Sequence, residues 1–231
     1  MIIVVSIPVL VASPQGEKGE TAIIANEFVE ELTRVGFRAK IQFTPKMSFA
    51  ACGGCQECEP EGLCIVKDDV QDLQAKIVNS PAFVLATPVY LMGPPGRLKC
   101  LLDRFWPWTL RPQLFGKYAT TIVTAGHFGA LSVAEYLTSI LESWGLQVIS
   151  PLTVIYSSKD KVAERKKALV NSRLLARRFI ETMEKKKRMG LSSQGKRFIS
   201  QIWSLIQGNR EQFQNSYNFW IENNIPKQIG I

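Results

Sequence analysis

Four of the chain's five cysteines fall within thirteen residues: Cys52, Cys55, Cys58 and Cys64, spaced C-x2-C-x2-C-x5-C. A cysteine at every third position of a Gly-rich loop points several sulfurs toward one centre, and soft thiolates suit zinc or an iron–sulfur cluster. Zinc sites usually split their ligands into two pairs separated by roughly 12–20 residues. This run is compact, closer to the C-x2-C-x2-C pattern that wraps a [4Fe–4S] cube. Zinc and unmetallated thiols remain the other readings of the same spacing. Glu57, Glu59 and Glu61 lie among the cysteines, and their negative charge would lower the potential of a cluster held there.

Three further segments could bind a ligand. Ser13-Pro14-Gln15-Gly16-Glu17-Lys18-Gly19-Glu20-Thr21 lies between an apolar run and a helical pattern. Small and hydroxyl residues leave backbone amides free there, and the helix dipole favours an anion such as phosphate. Glu17 and Glu20 oppose that reading unless they point away. Thr87-Pro88-Val89-Tyr90-Leu91-Met92-Gly93 would be either a plain strand end and turn or a rigid wall against a flat heterocycle. Ala125-Gly126-His127-Phe128-Gly129 contains two glycines that permit close backbone approach. His127 is the only histidine in the chain. A lone histidine is usually structural; the less favoured reading makes it a neighbour of the bound heterocycle, and a proton donor less favoured still.

These segments need a scaffold to bring them together. Ile7–Ala12 reads as a buried strand with Pro8 near its start, because proline is excluded from central strand positions. No role emerges for residues 1–6. Thr21–Val35 is helical, with Ile24, Phe28, Leu32 and Val35 on one stripe. Arg38–Phe43 is a strand. Asp68 or Asp69 caps a helix carrying Val70, Leu73, Ile77 and Val78. Ala82–Thr87 is an apolar run suited to a sheet covered on both faces. Gly96–Phe105 is helical and Tyr118–Thr124 a strand. Ala130–Trp144 is a helix ended by Gly145. Val148–Tyr156 is a strand interrupted by Pro151, and Asp160–Lys187 is a long helix. This alternation implies a doubly wound five-stranded parallel sheet of order 2-1-3-4-5, with ligands at the carboxyl ends of the strands.

Residues 189–231 break the pattern. Gly190-Leu191-Ser192-Ser193 reads as a hinge. Phe198, Ile199, Ile202, Trp203 and Ile206 form one helical stripe, and Phe213, Tyr217, Phe219, Trp220 and Ile221 a second. The expected organisation is a 1–188 domain carrying the cysteine loop at 52–64, followed by a helical extension at 189–231. Aromatic stripes of this size, worth roughly 25 cal/mol per Å2 of apolar area buried, must pack on the core or on a neighbouring subunit. A homodimer or homotetramer is the expectation.

The 231 residues are 46% hydrophobic with a net charge of +8. Residues 1–156 carry 12 Lys+Arg against 14 Asp+Glu, and residues 157–231 carry 16 against 6, so the basicity belongs to the C-terminal third. It is either a solvated helix face or a surface for an acidic partner; nucleic acid, paired with a zinc-structured cysteine loop, is the less favoured reading. No run of 18 apolar residues suggests a membrane span. The apolar start lacks the basic flank of a signal peptide, and clustered thiols then point to a reducing cytoplasm.

Taken together, Ser13-Pro14 after the first strand, the cysteine run followed by Asp68-Asp69, Thr87-Pro88-Val89-Tyr90, and Gly96-Arg97-Leu98-Lys99 with Leu102-Asp103-Arg104 resemble the NADPH-dependent FMN reductase superfamily. Within it they resemble the iron–sulfur flavoproteins, over about residues 7–185. The resemblance implies a flavodoxin-like fold, bound FMN, and a [4Fe–4S] cluster on Cys52, Cys55, Cys58 and Cys64. It implies that Ser13, Gln15 and Thr21 hold the FMN phosphate, that Pro88, Val89, Tyr90, Leu91, Met92 and Gly93 hold the isoalloxazine edge, and that Ala125 and Gly126 form the third side. Many relatives have Arg after Ser-Pro and Asn before the Thr; this chain has Gln15 and Glu20. The implied activity is that of a flavin-dependent oxidoreductase, exchanging electrons between FMN and the cluster with NAD(P)H or a ferredoxin-like carrier as redox partner. A flavin or quinone reductase without a cluster is the alternative. Trp106 and Trp108 are core aromatics or cover the flavin, and Cys100 reads as a buried structural thiol.

Overall fold

The two most buried strands, Ala82–Pro88 (β3) and Tyr118–Ala125 (β4), lie at the middle of a parallel sheet. They are buried on both faces, so neither needs polar alternation. The computed structural model describes residues 6–156 and 160–230. β1 (Ser6–Val11) pairs with β3 on one side and with β2 (Arg38–Phe43) on the other. Pro8 lies ahead of Val9, where the β3 ladder begins. The fifth strand is broken as Pro151 requires: β5 (Gln147–Val148) and β6 (Leu152–Ile155) both pair with β4. The order is β2-β1-β3-β4-β5/β6, as expected from the alternation of strands and helices.

Helix α1 (Glu20–Arg34) covers one face together with the long helix α7 (Lys161–Glu184). Between them lie the short α2 (Cys58–Glu61), a single turn inside the cysteine loop, then α3 (Asp69–Val78), α4 (Gly96–Asp103), α5 (Trp106–Leu110) and α6 (Ala130–Ser143). Helices α3 to α6 cover the other face, around Leu73, Leu101, Trp108 and Leu137. Trp108 is core, edge-on to Phe105 at 4.8 Å and to Trp144 at 5.6 Å. Cys100 is only half-buried, because the apolar stripe of α4 runs through Leu98, Leu101 and Leu102.

Part of the basic C-terminal third has a structural use. Arg165, Arg173 and Arg177 on α7 pair with Glu20, Glu27 and Glu31 on α1, the last two at 2.6 Å. The bond from Arg177, joined by Arg34, holds the Glu31 carboxyl below its usual pKa despite its burial.

The extension folds back on its own chain. It forms α8 (Ser193–Gly208), α9 (Gln214–Glu222) and a short α10 (Ile225–Ile229) absent from the sequence reading. The Gly190–Ser193 segment is less a hinge than a dock. Ser192 caps α8 by accepting from the Gly195 amide at 2.9 Å, and donates its hydroxyl to Glu142 on α6 at 2.7 Å. A side chain on Gly195 would stand 1.7 Å from Glu142 Oε2. Ile199, Ile202, Ile206, Phe213, Trp220 and Ile225 then close over Leu110. Trp203 stacks on Trp220 at 5.0 Å, and the Trp220 indole donates to the Leu110 carbonyl at 2.6 Å. This burial within one chain answers the need for cover that the stripes announce.

Trp220→Ala removes a fully buried ring together with its hydrogen bond. We expect a loss of about 3–5 kcal/mol, read as a lower urea midpoint. Because the extension packs on Leu110 of the core, fluorescence and circular dichroism should follow one shared transition.

Candidate functional site

Two cavities contain the chemistry-bearing residues. The first, about 390 Å3, opens at the carboxyl ends of β1, β3 and β4. It is lined by Ser13, Gln15, Thr21, Pro88, Val89, Tyr90, Ala125 and Gly126, and by Glu20, Thr124, His127, Tyr156 and Lys161, which the sequence reading did not select for it as ligand residues. The topology makes this meeting: β1 and β3 are neighbours whose helices leave on opposite faces, and a crevice opens between them.

The phosphate-type loop is pre-shaped. Ser13 and Thr21 are buried. The Thr21 hydroxyl bonds that of Thr124 at 2.7 Å, tying α1 to the end of β4. Gly19 caps α1 without a side-chain bond, and a Cβ there would meet Ser13 Oγ at 2.8 Å. The first amides of α1, which lack intrahelical acceptors, therefore face a narrow pocket. The two acids that argued against an anion are engaged: Glu17 pairs with Lys46, and Glu20 accepts from Arg165 Nε at 3.0 Å. Tyr156 is held neutral, its pKa raised by burial and then by the charge of Glu20.

Leu91, Met92 and Gly93 depart from expectation and do not line this cleft. Tyr90 and Gly93 exchange backbone bonds at 2.8 and 3.0 Å, making a two-residue hairpin turn. Leu91 and Met92 sit at its tip with φ of 44° and 64°, as a type I′ turn demands. That turn leaves Leu91 100% exposed and lays the Met92 sulfur against Gly129, where a Cβ would meet it at 3.2 Å. Trp106 also lies elsewhere, beside the cysteines.

The second cavity, about 560 Å3, is lined by all four clustered cysteines with Arg104, Trp106, Pro107, Gln212 and Phe213 among its walls. Cys52 and Cys55 are exposed, Cys58 and Cys64 half-buried. Among the described residues no three Cys, His, Asp or Glu side chains converge as a ligand shell; the sulfurs share a cavity without meeting at one point. The donor set still fits a soft metal centre. Burial raises the Cys58 pKa, and the neighbouring Cys64, Cys52 and Cys55 raise it further.

Arg104 is what shapes this loop. It is 1% exposed. Its Nε donates to Cys64 Sγ at 3.1 Å, Nη1 to the Ala50 carbonyl at 2.9 Å, and Nη2 to the Val66 carbonyl at 2.9 Å. The same two nitrogens grip Asp68 at 2.7 and 3.1 Å. One guanidinium thus closes the loop by holding both ends, and presents positive charge to a sulfur. Asp68 caps α3 through the Val70 amide and accepts from the Ala50 amide. Burial opposes its ionisation, but Arg104 and these amides outweigh that, so its pKa lies below the usual 3.8. Arg97, earlier on α4, donates from Nε to the Thr44 carbonyl at 3.0 Å and covers Phe49. Sequence reading placed Arg104 in a motif without a role. The available signal was an arginine in an apolar helix and a lone Asp-Asp pair after the cysteines.

Asp68 stabilises the fold only while ionised. That contribution is present above pH 3.8 and lost as pH falls through the lower folded pKa. The urea midpoints of wild type and Asp68→Asn should therefore lie far apart at pH 6 and converge below pH 3.8. Arg104→Lys keeps the charge and loses the fork; we expect a cost of about 2–3 kcal/mol by the same measurement.

Comparison with known proteins follows this geometry. Over 214 residues the chain is 28% identical to an iron-sulfur flavoprotein of Archaeoglobus fulgidus, covering 92% of this chain and 96% of that protein. The fold is similar to an NAD(P)H:quinone oxidoreductase from Methanothermobacter marburgensis (TM-score 0.59, 16% identity, covering 75% of this chain and 96% of that one). It is also similar to an FMN-dependent NADH-azoreductase from Bacillus anthracis (TM-score 0.58, 11% identity, covering 75% and 98%). Residues 5–161 match the NADPH-dependent FMN reductase family; the chain belongs to that family and is a flavin-dependent oxidoreductase.

Proposed function

We propose that this protein moves electrons between an FMN in the β1/β3/β4 cleft and a [4Fe–4S] cluster on Cys52, Cys55, Cys58 and Cys64. The observation that carries the reading is the presence, in one family member, of a shaped flavin-type cleft and a second cavity walled by four clustered thiols. FMN takes up two electrons as hydride or one at a time, and a cluster passes one, so the pair would interconvert the two modes.

The chain's own residues divide this work. Ser13, Gln15, Thr21 and the first amides of α1 would hold the phosphate. Pro88, Val89, Tyr90, Ala125 and Gly126 would hold the ring system between two loop backbones. A Cβ on Gly126 would meet nothing within 4 Å, so the space beside it is open for a ligand. Arg104 would lend its N–H to the Cys64 thiolate, and Glu57 and Glu61 would place negative charge nearby. NAD(P)H or a ferredoxin-like carrier would exchange electrons with the protein. An exposed apolar rim of Tyr90, Leu91, Met92, Phe128 and Leu131 borders the cleft and suits a homodimer or homotetramer contact, which light scattering would test.

Anaerobically purified protein should carry FMN released by denaturation, with about four irons and matching sulfide per chain. Stoichiometric zinc without sulfide would replace the cluster with a structural metal. Flavin without iron would leave a simple reductase. Rapid flavin bleaching by NADPH would name it as donor; slow bleaching would favour a protein carrier. Gly126→Leu should leave the urea midpoint of the flavin-free protein unchanged and weaken FMN binding at least about tenfold, by filling the open side of the cleft.

A further inference from the structure

One set of buried polar groups, Glu59, Arg111 and Ser216, converges beside the cysteine loop. Glu59 lies inside the cysteine run, next to Cys58, yet is only 9% exposed. Its Oε1 accepts from the Ser216 amide at 3.0 Å and from the Ser216 hydroxyl at 2.9 Å. Its Oε2 accepts from Asn215 at 3.3 Å and faces Arg111 Nη2 at 3.3 Å. Arg111 also donates to Ser216 Oγ at 3.3 Å and to the Pro60 carbonyl at 3.2 Å. On the rim, Gln212 donates to Gln56 at 2.7 Å. Gly62, which ends α2 with φ of 69°, has Arg111 Nη1 at 2.9 Å from any Cβ placed there. The bonds from Gln212, Asn215 and Ser216 join two segments more than 150 residues apart, the start of α9 and the helix bearing Cys58, and Arg111, just after α5, bridges the two.

We propose that the C-terminal extension is the positioning wall of the cysteine site. The residues that set Cys58 are Glu59, Arg111 and Ser216, acting through α2 rather than by touching the sulfur. The cysteine loop is then gripped twice. Arg104 fixes Cys64 and the loop's ends; Arg111 from the core and Ser216 from the extension together grip the helix that bears Cys58. Cys58 and Cys64 are the two half-buried sulfurs, while Cys52 and Cys55, outside both grips, are exposed. Phe213 and Gln212, at the start of α9, also line the cavity, so the extension contributes surface as well as support. A carboxylate with this many donors is costly to bury unless they are all satisfied; its place within the cysteine run ties the lock to that loop.

The inference rests on the reading of the cysteine cavity as a working site, and its deciding readout, hydrogen exchange, is independent of cluster and activity. Hydrogen exchange read by mass spectrometry on full-length protein follows the amides of residues 56–62, where Gly62 donates to the Cys58 carbonyl at 2.9 Å. In Ser216→Ala and in Glu59→Gln, which keeps the shape but drops the charge, exchange there should rise at least about tenfold. Exchange at residues 66–72, held by Arg104 and Asp68, should not change. Iron per chain should fall in both variants while FMN content holds. Unchanged exchange at 56–62 in both variants would overturn the proposal, as would a rise spread equally over 66–72 and the sheet. If one variant fails to fold, the other decides. Wild type with protected 56–62 amides and no iron would defeat the cluster reading alone.

Discussion

The cysteine loop depends on one buried guanidinium. A run of exposed Gly and Cys has little reason to adopt any shape: it buries almost no apolar area, and only four of its residues, Cys58–Glu61, are helical. Arg104 supplies the missing constraint by joining Ala50, Val66, Asp68 and Cys64 around a single planar group. A buried ion pair is a weak source of net stability but a strong source of geometry. Here the geometry matters, because four sulfurs reach one cavity only if the loop returns to where it left. Lysine could keep the charge but could not meet four acceptors in one plane.

The cleft on the sheet edge is held differently. It needs no buried charge of its own. The strands fix three loop origins, and short links finish the shape: a Thr21–Thr124 hydroxyl pair, a glycine packed on Ser13, and a tight hairpin at Tyr90–Gly93. Acidic residues that would repel an anion are drawn off by Lys46 and Arg165. Glu20 thus belongs to a bond between α1 and α7.

Most of the sheet was legible because its signals are local. The apolar runs at 82–87 and 118–124, the capping aspartate and Pro151 each act within a few residues, and each appears where its own chemistry puts it. Eight of the eleven expected ligand-type residues share one cleft for the same reason, since strand ends are placed by topology. Leu91 and Met92 escaped because both occupy left-handed backbone that sequence assigns to Asn or Gly. The roles of Arg104, Glu59 and Ser216 were illegible because each depends on partners far along the chain. A glutamate among cysteines looks like surface charge until the helix that buries it is seen. The aromatic stripes of the extension announced that they needed cover without saying what would supply it. The core around Leu110 does, and no residue of the extension reaches the cleft at β1, β3 and β4 among its described lining.

The path between the two cavities is short in sequence and stiff. β3 ends at the wall of the cleft with Pro88; the chain turns through Tyr90–Gly93, enters α4 at Gly96, and reaches Arg104 one residue after α4 ends. An eight-residue helix rises about 12 Å. It is anchored along its length by Leu98 and Leu101 in the core and by Arg97 on the segment leading into the cysteine loop. A ligand in the cleft and one in the cysteine cavity would therefore be related through a rigid strut rather than a flexible linker. Were both centres bound, α4 would set their separation: it begins three residues after the Tyr90–Gly93 turn and ends one residue before Arg104.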